Sequence, residues 1–348
     1  VLQLFIFQPW GVPFEVTVSI VIILILLYTY RGGIKTLVWT DTLQSSFLLM
    51  GVILSIIAIA GALNLDFNGI IDTVRNSEHN QIFFWDVKAP NYFWKQFISG
   101  ALIAIVMTGL DQNMMQKNLS MRTLPEAQKN ILWFSVVLIF INLLFVSLGA
   151  LLYEYIGVMG IDAPARTDHL FPILALDYLG VFAAVVFILG IAAATFSSAD
   201  SVLTTLTTSF CIDILGWDVT QTESGKQKQN RHIIHVLFAV VLLIVIIIFN
   251  AINNDAVINQ VFAVAGYTYG PLLGLFAFGI ITKRNIMDKV VLLVCLLPPF
   301  ICYYLNMHSK ALFNGYQIGY ELLLINGILT FIGLLLISSS NSNKLVQS

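Results

Sequence analysis

Nine apolar stretches, each of about 18 residues or more, divide the 348-residue chain. A helix needs ~20 mostly apolar residues to cross a bilayer, and in lipid only helices and closed barrels satisfy every backbone hydrogen bond. Charged residues make up 10% of this chain, against about 25% in soluble domains. The sequence therefore predicts an all-α polytopic membrane protein with about nine transmembrane helices. The stretches are residues 13–30, 37–63, 92–116, 131–156, 180–214, 232–252, 257–282, 286–307 and 319–338.

Charge and motif content narrow the function classes. The formal net charge is -2 and no basic tract occurs, so we expect no nucleic-acid partner. The five histidines are scattered near loops or helix ends, without a zinc-protease motif or paired carboxylates, so we expect no enzyme activity. The lipid bilayer is the expected environment, and no obligatory protein partner is evident.

Lysine and arginine orient the predicted helices, because these residues concentrate in the short cytoplasmic loops of membrane proteins. If Arg31 and Lys35 lie inside, alternating connections place twelve of the 17 basic residues inside and five outside. The sequence predicts that the N-terminal end of the chain lies outside and the C-terminal end inside.

The segment "FSSADS", residues 196–201, places polar side chains inside the fifth apolar stretch. On a helix, Ala194, Ser197, Ser198 and Ser201 share one face, because their spacing is i, i+3, i+4 and i+7. Asp200 lies beside this face, and a carboxylate in a membrane helix costs about 2.5–3.5 kcal/mol. The pattern favours a site for a small monovalent cation such as sodium and a polar helix–helix contact about equally.

Three further polar or glycine-rich groups each allow two interpretations. Asp41 either caps the second helix or lies deeper in the membrane. The segment 108–117, "TGLDQNMMQK", either ends the third helix or breaks it to expose backbone groups to a substrate path. Glycines and a proline within residues 266–274 give either a packing contact or a gating hinge.

Four motifs together resemble the sodium:solute symporter family, which includes sodium-coupled sugar, proline and sialic acid transporters. They occur in the order and at the spacing of that family, so the resemblance covers nearly the whole chain. The matching segments are "YRGGIKTLVWTDTLQ" (30–44), "GLDQNMMQK" (109–117) followed by "PEAQKN" (125–130), "ATFSSADSVLTTLTTSFCIDIL" (194–215) and "GYTYGPLLGLFAFGIITKR" (266–284).

The resemblance implies a LeuT-type fold of two inverted five-helix repeats. Residues 13–63 then supply the last two helices of the first repeat, residues 92–282 the second repeat, and residues 286–338 two peripheral helices. The chain begins with Val1, and we expect residues 1–348 to be a fragment of one transporter domain that lacks the first core helices.

The resemblance also implies ion sites, with Na⁺ as the coupling ion and no organic cofactor. The carbonyl of Ala194 and the hydroxyls of Ser197 and Ser198 match half of the sodium site common to the family. Asp41, Asp200 and Ser201 match a second sodium site found in some members, although Asp200 replaces a neutral or hydroxyl residue there.

Substrate-side or gating candidates are Asp111, Gln112, Phe262 and Tyr267. Sugar-transporting relatives carry a lysine where this chain has Leu138 and a glutamine near Phe262, so the resemblance argues against a galactose-like binding mode.

The function predicted on this basis is sodium-coupled symport of a small organic solute across the cytoplasmic membrane by alternating access. Two alternatives stay open. The same membrane module occurs in signalling proteins as a sensor, and a channel or uniporter would move solute without coupling.

Overall fold

The computed structural model describes residues 2–29, 34–78, 80–218, 224–252 and 257–339, and leaves aside the side chains of 34–39 and 258–260. Arg31 and the side chain of Lys35, both used to orient the chain, therefore lie outside the described residues. A short antiparallel pairing joins β1 (Asn285–Ile286) to β2 (Ser338–Ser339).

Helices account for most of the described chain, and a helix lies within each of the nine predicted stretches. The α-helices of the described residues are α1 Phe14–Thr29, α2 Ile34–Ala62, α3 Phe67–Asn76, α4 Phe93–Gly109, α5 Gln112–Leu119, α6 Leu124–Met159, α7 Leu170–Ile173, α8 Val181–Ser209, α9 Gly225–Ile252, α10 Val257–Ile281, α11 Asp288–Met307, α12 Ser309–Leu312 and α13 Leu322–Ile337.

Length and composition identify six helices among the described residues that can cross a membrane, or up to eight if each of two bent helix pairs forms one span. The ninth predicted span contains α13, which is apolar but has 16 residues. The fifth predicted stretch contains α8 and a π-helical turn, Phe210–Ile214, which together run for 34 residues. This is longer than the ~20 residues that a spanning helix needs.

The third predicted span is broken rather than continuous. The α4 helix ends at Gly109, α5 begins at Gln112, and the two are bent by 56°. Asp111 lies in the break, where its carboxylate accepts a hydrogen bond of 3.1 Å from the backbone N–H of Met114. This contact satisfies a free N–H in the first turn of α5 and stabilises the new helix start. Of the two interpretations, the structure has the broken helix.

Contacts divide the chain into two compact units, Val1–Asn80 with Gln116–Ala256, and Gln81–Met115 with Val257–Ser348. Each unit combines segments that are distant in sequence. The predicted division of residues 13–282 into parts of two inverted repeats is a different kind of division, and these two units do not test it. It stays a prediction.

In the first unit, α2 and α8 pack against each other in opposite directions. Gly51 lies against Val186, and Gly190 lies against Leu48. A Cβ atom on Gly190 would be 3.3 Å from the Cα of Leu48, closer than most side-chain contacts. Small residues at such points let membrane helices approach closely. The close packing continues toward Asp41 on α2 and Ser197 on α8, so these two side chains meet.

The same unit joins α1, α8 and α9 through an apolar core that includes Ile25, Leu203 and Ala239. A polar contact among Thr29, Thr207 and His235 joins the same three helices. The ring nitrogens of His235 lie 3.0 Å from the hydroxyl of Thr29 and 2.9 Å from the hydroxyl of Thr207. A buried imidazole therefore links three helices.

In the second unit, α10 packs along α13. Pro271 has no N–H, so it leaves the carbonyl of Tyr267 without its usual helical donor. The side-chain amide of Asn326 donates to that carbonyl at 2.9 Å and to the carbonyl of Gly266 at 3.1 Å. Gly270 leaves room for this amide, because a Cβ atom there would overlap Asn326. A residue on α13 therefore supplies the donor that Pro271 in α10 cannot.

The loop before α4 is attached to the loop before α13 within the second unit. The ammonium of Lys95 donates to the carbonyls of Ala89 and Gln317 at 3.1 and 2.9 Å, and lies 3.5 Å from the centre of the Tyr316 ring. Burial and the hydrogen bond from its hydroxyl to Glu321 raise the pKa of Tyr316 above its usual range. Tyr316 therefore stays protonated and acts as a donor.

Candidate functional site

The polar face predicted from "FSSADS" lies on a continuous part of α8, so the helical spacing of its residues holds in the structure. Ala194 and Ser197 are partly buried and Ser198 is exposed, whereas Asp200 and Ser201 are buried. The face thus changes from accessible to enclosed within about one turn.

Asp41 is the partner of Ser197. The hydroxyl of Ser197 donates to Oδ1 of Asp41 at 2.5 Å, and the ammonium of Lys117 lies 3.1 Å from Oδ2. Asp41 was expected beside Asp200 and Ser201 in a second sodium site. The structure adds a direct bond to Ser197, a residue predicted for the common site, and an ion pair with Lys117.

Asp200 is fully buried and accepts a hydrogen bond from the hydroxyl of Tyr28. Its other oxygen, Oδ1, has no hydrogen-bond partner among the described residues. The same is true of Oγ of Ser201, a residue that is 4% exposed. Buried polar atoms are rarely left unpaired, because that costs about 1–3 kcal/mol, and more for charged groups. Two adjacent residues therefore offer oxygen atoms that still lack a partner.

The donors fit a hard monovalent cation. Asp41, Asp200 and the three hydroxyl residues supply only oxygen, the element that such ions prefer. The unpaired oxygens of Asp200 and Ser201 are a structural indication of the same chemistry, since an ion would satisfy them.

The substrate-side candidates have local partners in the second unit. Besides capping α5, Asp111 accepts a hydrogen bond of 3.3 Å from the hydroxyl of Tyr269 through Oδ2. The hydroxyl of Tyr267 accepts a bond of 2.9 Å from Asn306. The Phe262 ring packs edge-on against Tyr320, with 5.3 Å between centroids.

Gln112, the fourth candidate, is exposed on the first turn of α5. It is accessible to solute, but the structure gives no contact that would distinguish it from a surface glutamine.

Sequence reasoning missed three residues that complete these contacts. Tyr28 pairs with Asp200, Lys117 with Asp41, and Tyr269 with Asp111. A weak signal was available for two of them. Tyr28 is a hydroxyl-bearing residue near the end of an apolar run, and Lys117 ends the polar segment that breaks the third span.

Comparison with known proteins gives a consistent result. A family model described as "SSF: Sodium:solute symporter family" matches residues 3–288. The sodium/sialic acid symporter SiaT of Proteus mirabilis (strain HI4320) is 24% identical over 287 residues, which cover 79% of this chain and 56% of the relative. The sodium/glucose cotransporter of Vibrio parahaemolyticus is 24% identical, with 93% of this chain and 63% of the relative covered.

A solved structure of a Na⁺-coupled sialic acid symporter, in a substrate-bound outward-open state, has a TM-score of 0.73 with this chain at 20% identity. The match covers 98% of this chain and 70% of the solved chain. It confirms the predicted all-α membrane fold of the LeuT type. The chain spans about half to two thirds of the length of the two relatives above.

Proposed function

Because the chain belongs to the sodium:solute symporter family, as its motifs predicted, we propose that it functions in secondary active transport. In this proposal, sodium moving down its gradient drives a small organic solute across the membrane. The relatives and the structural neighbour named above are sodium-coupled symporters or cotransporters. The observation that carries the proposal is the oxygen-lined face of α8, with Ser197 bonded to the carboxylate of Asp41.

We propose two ion positions on this face. Ala194, Ser197 and Ser198 contribute to the common sodium site. Asp41, Asp200 and Ser201 contribute to the second, supported by the unpaired oxygens of Asp200 and Ser201. The bond between Ser197 and Asp41 links the two positions, so an ion at one alters the donors available to the other.

Sodium supplies the driving force in this mechanism. Moving one charge across 100 mV is worth about 2.3 kcal/mol before the concentration gradient is added. A bound ion that favours one conformation shifts the population toward it by its difference in affinity for the two states. Asp111, Gln112, Phe262 and Tyr267 remain the candidates for the solute path or its gates.

We further propose the cytoplasmic membrane as the location, with the N-terminal end of this chain outside and the C-terminal end inside. The excess of basic residues in the connections assigned to the inside supports this orientation. The proposed partners are a small-molecule solute and the surrounding lipid.

A thermal-shift screen of the intact, purified protein tests the function. Sugars, amino acids, sialic acids and carboxylates are each added with sodium or with N-methylglucamine at equal ionic strength. We expect one solute class to raise the melting temperature only when sodium is present, because a ligand that binds the native state stabilises it. Stabilisation that is equal in both salts would instead favour an uncoupled channel or uniporter.

Replacing Ser197 or Ser198 with alanine is expected to raise the sodium concentration for half-maximal stabilisation by at least about tenfold. The physical reason is that each hydroxyl removed is a ligand to a charged ion, and such contacts contribute roughly 1.5–3 kcal/mol. The measurement is a sodium titration of the melting temperature.

Ser209→Ala is the control for these two variants, because Ser209 is also on α8 but its hydroxyl donates to Asp213 at 2.5 Å. Its half-saturating sodium concentration should match that of the wild type. If Ser197→Ala and Ser198→Ala both titrate like this control, the assignment of the common site is wrong.

A further inference from the structure

Both carboxylate oxygens of Asp41 are occupied by groups of this chain. Oδ1 accepts from Ser197 at 2.5 Å and Oδ2 lies 3.1 Å from the ammonium of Lys117. A cation therefore already lies at the carboxylate that the second proposed sodium position uses. An ammonium and a sodium ion carry the same charge, so one can replace the other without changing the charge of the site.

We propose that Lys117 is an internal competitor of sodium at Asp41, an inference that rests on the proposed function. Sodium binds Oδ2 of Asp41 when the ammonium leaves, and the ammonium returns when sodium is released. Lys117 thereby sets the sodium affinity of the second position, and it compensates the Asp41 charge in the sodium-free protein.

Accessibility of the pair supports exchange rather than a permanent structural role. The Lys117 side chain is 39% exposed and that of Asp41 is 19% exposed, so water can reach both groups when they separate. Asp200 differs, because it is fully buried against Tyr28 and has no ammonium within ion-pair distance among the described residues.

The chemistry of lysine also suits exchange. Its ammonium is a strongly hydrated point charge on a flexible stem, whereas arginine holds a carboxylate through a rigid, two-pronged contact. Without either cation, Asp41 would be an uncompensated carboxylate within a membrane helix, which is costly. The lysine therefore gives the sodium-free site a stable form that a sodium ion can still displace.

Competition lowers the apparent sodium affinity, because only the fraction of molecules with a free carboxylate can bind the ion. We expect Lys117→Met to lower the half-saturating sodium concentration about tenfold, the equivalent of 1.4 kcal/mol. The half-saturating concentration is measured by following the melting temperature of the intact protein as sodium is added. N-methylglucamine keeps the ionic strength constant.

Three matched variants separate competition from a general effect of charge. Lys129→Met removes an exposed lysine outside the site and should leave the half-saturating concentration unchanged. Lys117→Arg keeps a cation that holds Asp41 more firmly, so it should raise the half-saturating sodium concentration. In an Asp41→Asn background, Lys117→Met should cause no change, because the shared carboxylate is absent.

Chemical rescue gives a readout that a merely structural role of Lys117 would not produce. In Lys117→Ala, added ethylammonium should compete with sodium and raise the half-saturating sodium concentration. In the wild type, the resident ammonium already occupies Asp41, so the same addition should have much less effect.

Suppose that sodium stabilises the wild type and that Lys117→Met has the same half-saturating sodium concentration. This result would overturn the competition and leave the proposed function intact. If Lys117→Met does not accumulate as folded protein, Lys117→Arg decides, and a half-saturating concentration equal to or below that of the wild type overturns the proposal. Wild-type protein that no sodium concentration stabilises would contradict the proposed function itself, and the competition with it.

Discussion

Alanine in place of Gly274 is expected to lower the stability of the protein by about 1–3 kcal/mol, the usual cost of inserting a methyl group into a well-packed contact. A Cβ atom on Gly274 would lie 2.7 Å from the carbonyl oxygen of Gly327 and 2.6 Å from Cβ of Thr330. Both neighbours belong to α13, and one of them is backbone. The two helices must therefore separate, which also disturbs the bonds from Asn326 to the carbonyls of Gly266 and Tyr267 on α10.

Gly279→Ala is the matched control, because Gly279 is on the same helix and a Cβ atom there meets nothing within 4 Å. Alanine is favoured over glycine by about 1 kcal/mol in a helix interior, so this control should be as stable as the wild type or more so. The melting temperature should therefore fall in Gly274→Ala and stay the same or rise in Gly279→Ala. Equal melting temperatures for Gly274→Ala and Gly279→Ala would show that α10 and α13 do not approach this closely.

Much of the fold could be predicted because the bilayer constrains it. A membrane span must be a long apolar segment, so each apolar stretch located a helix without any knowledge of its partners. The broken third span was less certain from sequence. A polar segment such as 108–117 fits either a helix end or a new helix start, and the side chain of Asp111, which caps α5, decides between them.

The α8 face could also be predicted, because its residues lie within two turns of one helix and helical spacing relates them directly. Their partners could not. Tyr28 is 172 residues from Asp200, and Lys117 is 76 residues from Asp41. No local period connects positions so far apart. These pairings follow from how α1, α2, α5 and α8 are placed, which depends on many small contacts such as that of Gly190 with α2.

The role of Asp200 is the question that the sequence left open, and its pairing with Tyr28 makes it testable. Tyr28→Phe removes the hydroxyl that donates to a fully buried carboxyl group. We expect this variant to lose at least about 1–3 kcal/mol of stability, because a buried acceptor then has no donor and a charged one costs more. The measurement is the melting temperature of the intact protein in sodium-free buffer.

The double variant Tyr28→Phe with Asp200→Leu is the control for this loss. Replacing both members of a buried polar pair by apolar groups can be nearly neutral, so we expect the double variant to be more stable than Tyr28→Phe alone. A double variant that is less stable than either single one would mean that packing volume, and not the unpaired carboxyl group, explains the loss.

Sodium then tests whether Asp200 belongs to the second ion position. An ion bound at Asp200 and Ser201 would supply the partner that Tyr28→Phe removes, so we expect saturating sodium to recover part of the lost stability. The recovery should be absent from the double variant, which has no carboxyl group to bind the ion. Only a group that contacts the ion can have its missing hydrogen bond replaced by that ion. A loss of stability that is the same with and without sodium would therefore exclude Asp200 from the ion position and leave it a structural partner of Tyr28.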